Sequence, residues 1–447
     1  SFSNGYPEGG SPTYYENTSR SMNGYFNLGY SFDDRYLMDF SLRENGSSVF
    51  GASKRYIGTW SVGLGWNLHK ERFIADHLTW IDFLKLRASI GNPGNQNFSS
   101  SKTLTTFNFQ LASMNYFGMG AVLNQLGNPD LDWQITLDKN IGIDMTLIDK
   151  RLNITADYYH KVTDPLLINI SMPLSSGTSS YLTNMGKQIS QGLTLSASYY
   201  IIQKLDQRFS WLVRGNLRTQ KTKLDKIGNK LDELNKSGQG HNTVRYYNGA
   251  DPDDIWAVKS AGIDPSTGRE LFYDKEGNYT YDFSYDNEVI CGNTRPKIEG
   301  VIGTSLNYKG FSVSMNFRYQ TGASVFNEAL FNKVENISVS GLNKNQDKRA
   351  LYERWQNPGD KVRFKDIANA ASTPMSSRFI QKENVLSMES VYVGYEFYEG
   401  WIKKIGLSNL KIQASMRDVF RASTIKSERG TLYPFARSLE LGLSFNF

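Results

Sequence analysis

The chain has 447 residues, a formal net charge of +6, 39% hydrophobic and 13% aromatic residues and a single cysteine. So modest a charge, spread along the chain, leaves no nucleic-acid footprint, and Cys291 alone excludes an intramolecular disulfide framework. With a mean hydropathy of -0.47 there is no apolar run long enough for a spanning helix. A barrel, however, turns only every second strand residue to lipid, so its membrane signal never shows in a sliding average.

In chain order, period-2 alternation predicts strands at Phe26/Leu28/Tyr30, at Tyr36/Met38/Phe40/Leu42 and at Trp60/Val62/Leu64/Trp66/Leu68. It continues at Leu84/Leu86/Ala88/Ile90, Ile141/Ile143/Met145/Leu147 and Leu152/Ile154/Ala156/Tyr158. Leu193/Leu195/Ala197/Tyr199/Ile201, Phe209/Trp211/Val213, Ile298/Gly300/Ile302/Thr304/Leu306 and Phe311/Val313/Met315/Phe317/Tyr319 follow. Between Leu386/Met388 and Val391/Val393/Tyr395/Phe397 the phase slips, which predicts a bulge. Leu410/Ile412/Ala414/Met416 and the terminal Leu439/Leu441/Leu443/Phe445/Phe447 complete about thirteen strands of roughly ten residues, the length that crosses a bilayer at a tilt.

The connections alternate in length. Short ones fall at Phe32–Arg35, 69–80, Ile148–Arg151, 203–207, Tyr308–Gly310 and 398–406; longer ones fall at 44–56, 92–132, 162–191, 220–296, 321–384 and 420–437. A meander sorted this way has the form of a transmembrane β-barrel, with the short turns periplasmic and the long loops outside. A sandwich or propeller has no reason to sort its loops. The 26 Tyr and 25 Phe suit interfacial girdles. The opening SFSNGYPEGG has no initiator Met and no export signal, so further chain is expected upstream, with residues 1–21 in an external loop.

Several stretches carry a family resemblance: RENGSSVFG (43–51), LKLRASIGNPGN (84–95), LGNPDLDWQITLDKNIGIDM (126–145), RLNITADYYHKVTDPLL (151–167) and AGIDPSTGRELFYDKEGN (261–278). They continue through NYKGFSVSMNFRYQTGASVFN (307–327), YERWQNPGD (352–360) and YPFARSLELGLSFNF (433–447). In this order, over almost the whole chain, they resemble the C-terminal half of the SusC/RagA-type TonB-dependent outer-membrane transporters of Bacteroidetes. Two places depart from the family: Asp418-Val419-Phe420 replaces its usual Asn-Leu-Phe, and the following loop lacks its acidic turn.

The resemblance implies an all-β, plug-containing barrel of 22 strands, with the plug and the first strands upstream of residues 1–447. It implies TonB-dependent import of an oligosaccharide or peptide, with a SusD-like lipoprotein as lid and TonB-ExbB-ExbD pulling on the plug. It also implies a dimer of transporter-lipoprotein pairs in the bacterial outer membrane. A TonB-dependent receptor for a siderophore or cobalamin and a passive porin are the alternatives.

No enzyme and no metal site is expected. His69, His77, His160 and His241 form no metal-binding pair. DPDD (251–254) and DPSTGRELFYDKEG (264–277) offer calcium its oxygen ligands without the periodicity of an EF-hand. Since Asp with Gly and Pro is also ordinary turn chemistry, no cofactor is expected, and calcium in these loops or on the partner stays open.

Charges on the polar strand face, Lys85, Arg87, Arg214, Arg318 and Arg417 among them, are expected to face the lumen, touching ligand, plug or water. Asp39, Arg43, Asp144, Asp157, Arg218, Glu299, Lys411 and Glu440 share that face. Ligand contact is expected from aromatic residues of the two longest loops: Tyr246, Tyr247 and Trp256 in one, Tyr352 and Trp355 in the other. Packing of the loops or of the lid is the alternative role, favoured for Trp355. Loop 220–296 is long enough to fold locally, but its sparse hydrophobic content predicts no core of its own. Phe445 and Phe447 end the closing strand in the manner of a barrel-assembly signal.

Overall fold

The computed structural model describes residues 18, 20–48, 55–95, 103–116, 118–172, 178, 180–204, 206–337, 341, 343, 345–366, 368–369, 371–397, 400–426 and 437–447. The expectation for residues 1–21 and the family stretch near 433–436 fall almost wholly outside these residues.

Alternating sequence becomes strand in all thirteen predicted places, although Leu68, expected to end the third strand, opens a 3-10 turn at Leu68–Lys70 instead. Thirteen strands follow one another as nearest neighbours in one antiparallel sheet: β1 (Ser21–Phe32), β2 (Tyr36–Ser47), β3 (Tyr56–Asn67), β4 (Ile81–Gly91), β5 (Gln134–Leu147), β6 (Leu152–Thr163) and β7 (Lys187–Lys204). β8 (Phe209–Asp225), β9 (Ile298–Tyr308), β10 (Phe311–Phe326), β11 (Ile380–Phe397), β12 (Asn409–Ser423) and β13 (Leu439–Asn446) complete it, and the two-residue strand Gly94–Asn95 pairs with the start of β5.

Register turns the alternation into faces. Trp211, Leu306, Val313, Val393, Ala414 and Leu441 lie opposite one another across β8 to β13, as do Ser198, Arg214, Gly303, Asn316, Ser390 and Arg417 from β7 to β12. A slip of one residue would exchange the two rows between faces, so the hydrophobic pattern itself pins the register.

The predicted phase slip is a bulge. Glu389 is the extra residue between Met388 and Ser390 against β10, and Asp418, at φ +51°, lies in the matching irregularity on β12. The short turns use left-handed backbone: Asp33 and Asp34, then Ile148, Asp149 and Lys150, then Lys309 and Gly310.

β7, β8 and β11, at 18, 17 and 18 residues, run well past the roughly ten expected. Their loop-end extensions are held by polar contacts rather than by a continued apolar stripe: Ser190 and Thr222 are buried with their hydroxyls 3.2 Å apart, and Arg295 donates to Thr222 at 2.8 Å. Hydrophobic periodicity therefore could not mark them.

The core corrects the expectation for loop 220–296. Of the buried apolar residues, Ile227, Leu231, Ile255, Ala257, Val258, Ile263 and Phe272 all lie within it. Its apolar residues are few, but they converge: Asp254–Val258 pairs with Glu288–Asn293, and Ser260–Ile263, Glu270–Tyr273 and Tyr279–Thr280 form a small sheet. The loop of residues 327–379 adds a cluster of Leu330, Val334, Ala350, Phe364 and Phe379. Each large side chain so buried contributes about 1.5–3 kcal/mol.

Candidate ligand site at the loop end of the sheet

Both longest loops leave the same end of the sheet, and they fold into one cap. Val258 bridges Ser376, the Ser260 amide donates to Ser377 Oγ at 2.9 Å, and the Trp355 indole donates to the Pro265 carbonyl at 2.8 Å. Gly268, at φ +67°, lies against the Trp355 ring, where a Cβ would come within 2.6 Å; both the backbone and the contact demand glycine.

At the joint, Arg378 donates to Glu270 at 2.8 Å and to Glu335 at 2.6 Å. Ser376 and Thr373 donate to the same two carboxylates at 2.6 and 2.9 Å. Burial pulls the Arg378 guanidinium down, but hydrogen bonds and charge from Glu270 and Glu335 outweigh it and hold the group above its ordinary value. Arg354, 5% exposed, donates to the Val334, Glu335 and Lys365 carbonyls; burial lowers its pKa and that of Lys365. A second buried pair, Arg245 with Glu288 at 2.7 Å, ties the two ends of loop 226–297 together.

The five aromatic candidates separate. Tyr247 and Trp256 meet, ring centroids 4.9 Å apart at 56°, with Tyr247 40% exposed. Burial, then the charges of Glu288 and Asp232, raise the Tyr247 phenol and keep it neutral, able to donate or accept a hydrogen bond. The Trp256 indole N–H is buried and has no hydrogen-bond partner among the described residues. Tyr246 packs instead against Leu166, Leu224, Ile227 and Leu231, and its backbone is held on both sides by Asn235. Trp355 joins the loops as described, and Tyr352 stands 76% exposed on the helical turn Arg349–Tyr352.

Of the polar-face residues, Arg87 grips Asp144 at 2.6 and 3.0 Å and reaches Asp157 at 3.0 Å. Gly142 stands opposite Arg87 and leaves room for this triad. Arg318 pairs with Glu389, the bulge residue, and Arg214 donates to Asn316 at 3.2 Å. The Lys85 stem lies against Gly65, and Arg417 stands opposite Ser390.

Sequence reading missed a hollow of about 780 Å³ on this face, lined near the loop ends of β1 to β5 by Asn23, Tyr25, Arg43, Thr59, Ser89 and Asn140 among others. Its signal was the neutral amides and hydroxyls at alternate positions, which a search for charges passes over. Among the described residues no group of three or more His, Cys, Asp or Glu is placed to hold a metal. The Asp264 carboxylate accepts from Tyr281, Ser266 and Thr267 instead, which holds its pKa well below the usual carboxylate range.

A sheet with one apolar and one polar face, short turns at one end and a folded cap at the other defines the wall of a membrane β-barrel with its external loops. A family model described as TonB dependent receptor-like, beta-barrel, matches residues 1–343. The chain belongs to that family, a class of outer-membrane proteins. TonB-dependent receptor P39 of Formosa agariphila is 27% identical, over 94% of this chain and 44% of that receptor. TonB-dependent receptor SusC of Bacteroides thetaiotaomicron is 26% identical, over 96% and 44%. The fold is that of the RagAB peptide transporter structure, at a TM-score of 0.79 and 22% identity over 92% of this chain and 45% of that one. The chain thus spans under half the length of these relatives.

Proposed function

We propose that this chain is the ligand-holding wall and outer cap of a non-enzymatic, TonB-dependent importer that carries an oligosaccharide or peptide across the outer membrane. The observation that carries the reading is the cap, in which two loops are joined by the buried Arg378–Glu270–Glu335 cluster and carry the Tyr247/Trp256 ring pair with Tyr247 exposed. Rings of this kind stack on sugar faces or bury peptide side chains, and the Tyr247 hydroxyl fixes orientation. The polar strand face, with Lys85, Arg87, Arg214, Arg318 and Arg417, lines the lumen. Its closed ion pairs, Arg87 with Asp144 and Asp157 above all, make a smooth wall rather than a trap.

A SusD-like lipoprotein covers the cap, and TonB acts on a plug supplied by another part of the full protein; the similarity to SusC supports both. The test is affinity purification of the full protein from native outer membranes, with uptake assays on oligosaccharide and peptide mixtures. The reading expects a lipoprotein in equal amount and uptake of one oligomer class that is lost without TonB. Uptake that persists without TonB, or a chain recovered with no lipoprotein, contradicts it.

A further inference from the structure

The short-turn end of the sheet is not uniform. In the turns of β1 to β6, five acidic and five basic residues balance, and several pair with each other: Arg35 with Asp33 at 2.5 Å, Arg35 with Glu71 at 3.5 Å, Lys70 with Asp34 at 3.3 Å. The three turns from β7 to β12, at 204–209, 308–311 and 398–406, hold Lys204, Arg208, Lys309, Lys403 and Lys404 against only Asp206 and Glu399. Among the described residues, Lys309, Lys403 and Lys404 make no ion pair.

These cations border the apolar face directly. Tyr395 packs on Phe397 at 4.5 Å, and Phe397 on Trp401 at 5.9 Å, so the apolar row of β11 runs on into the helical turn Trp401–Lys404. Ile402 is fully buried and fixes that turn, leaving Trp401 and Ile405 52% and 59% exposed beside the two lysines. Phe397, the ring that meets Trp401, also lines a hollow of about 540 Å³ together with Arg208, Lys309, Tyr395, Asp206 and Glu396 among others. The Lys309 amide donates to the Arg208 carbonyl at 3.2 Å, which joins two of the turns.

We propose that this rim binds an anionic phospholipid of the leaflet it faces, of the phosphatidylglycerol kind. Arg208, Lys309, Lys403 and Lys404 take the phosphate, Trp401 lies at headgroup depth, and Tyr395 and Phe397 flank the upper acyl chains. Charge complementarity and continuity with the lipid-facing row select a lipid over a soluble anion. The neutral, glycerol-bearing headgroup beyond the phosphate suits a rim that also carries Asp206 and Glu396. The inference rests on the membrane-barrel reading above.

The test uses the full-length protein in nanodiscs of equal phosphatidylglycerol and phosphatidylcholine, with retained lipid counted by native mass spectrometry. Wild type is expected to retain phosphatidylglycerol preferentially, and the preference to fall about five-fold for each cation removed in Lys309→Gln/Lys403→Gln/Lys404→Gln. The Arg triple at the same positions keeps it and reports folding, while Lys70→Gln/Lys150→Gln on the balanced half leaves it unchanged. A heat-modifiable barrel that enters nanodiscs without lipid preference, or whose Gln triple keeps it, overturns this inference alone. Displacement of the lipid by excess inorganic phosphate shows a general anion site and overturns the lipid assignment. A chain that does not enter nanodiscs overturns the membrane reading together with this one.

Discussion

In the sheet, Ile141 and Leu443 stand 64% and 63% exposed; in the loops, Ile227, Ile255, Val258 and Val334 are at most 1% exposed. The two regions draw on the same apolar residues under opposite solvents. A strand residue that meets lipid has no reason to be covered by protein, whereas a loop in water must cover its own apolar side chains. Polar groups follow the inverse rule: the loops bury Arg378 against Glu335 and Arg354 against backbone carbonyls, while the sheet gathers its charges on one face and pairs them along it.

That contrast can be broken in order of effect. Arg378→Ala leaves Glu270 and Glu335 buried without their shared cation, held only by the Ser376 and Thr373 hydroxyls, a loss of about 3–5 kcal/mol. Confined to the cap, it is expected to open residues 327–379 to limited proteolysis while the barrel keeps its heat-modifiable migration; a protease-resistant cap would show that the cluster does not hold the loops. Next, Leu28→Lys against its neighbour Asn27→Lys separates the two faces of one strand. The first should cost about 2–4 kcal/mol in urea unfolding from lipid bilayers and the second stay within about 0.5 kcal/mol, and equal costs would count against an apolar face in lipid.

Trp256→Ala should weaken ligand capture about ten-fold, or about 1.4 kcal/mol, with abundance unchanged, whereas Tyr352→Ala should do less. Equal effects would move the site away from the Tyr247/Trp256 pair. Deleting Phe447 should lower the amount of folded protein in the outer membrane without changing affinity per folded molecule, and unchanged abundance would refute its role in assembly.

The smallest effect is the acid response of the cap. Hydrogen bonds from Tyr281, Ser266 and Thr267 depress the Asp264 pKa, so the stability this carboxylate lends is complete above its unfolded value near pH 4 and drains away as the pH falls below it. Amide protection factors at residues 260–281, taken relative to the intrinsic exchange rate at each pH, should therefore fall at low pH, and Asp264→Asn should flatten that response.

Strand positions, the short turns and the bulge at Glu389 were legible in the sequence because lipid enforces a strict period of two on Leu, Val and Phe. The loop core was not, because Ile227, Val258 and Phe272 have no shared period and meet only through long-range pairing such as Asp254–Val258 with Glu288–Asn293. The candidate site was half legible. Composition pointed to Tyr247 and Trp256, but nothing local distinguished them from Tyr246 and Trp355, whose roles are set by Leu166 and Pro265 far away in the chain. The Arg378–Glu270–Glu335 joint was invisible for the same reason, its members lying 43 and 108 residues apart.

The most direct test of the two-faced sheet is a spin-label scan of β10, residues 311–319, in the full protein reconstituted in lipid, after Cys291→Ser. Collision with lipid-soluble oxygen should peak at Val313, Met315 and Phe317 and fall at Ser312, Ser314 and Asn316. A flat profile, or one with the phase reversed, would contradict the assignment of the apolar face to lipid.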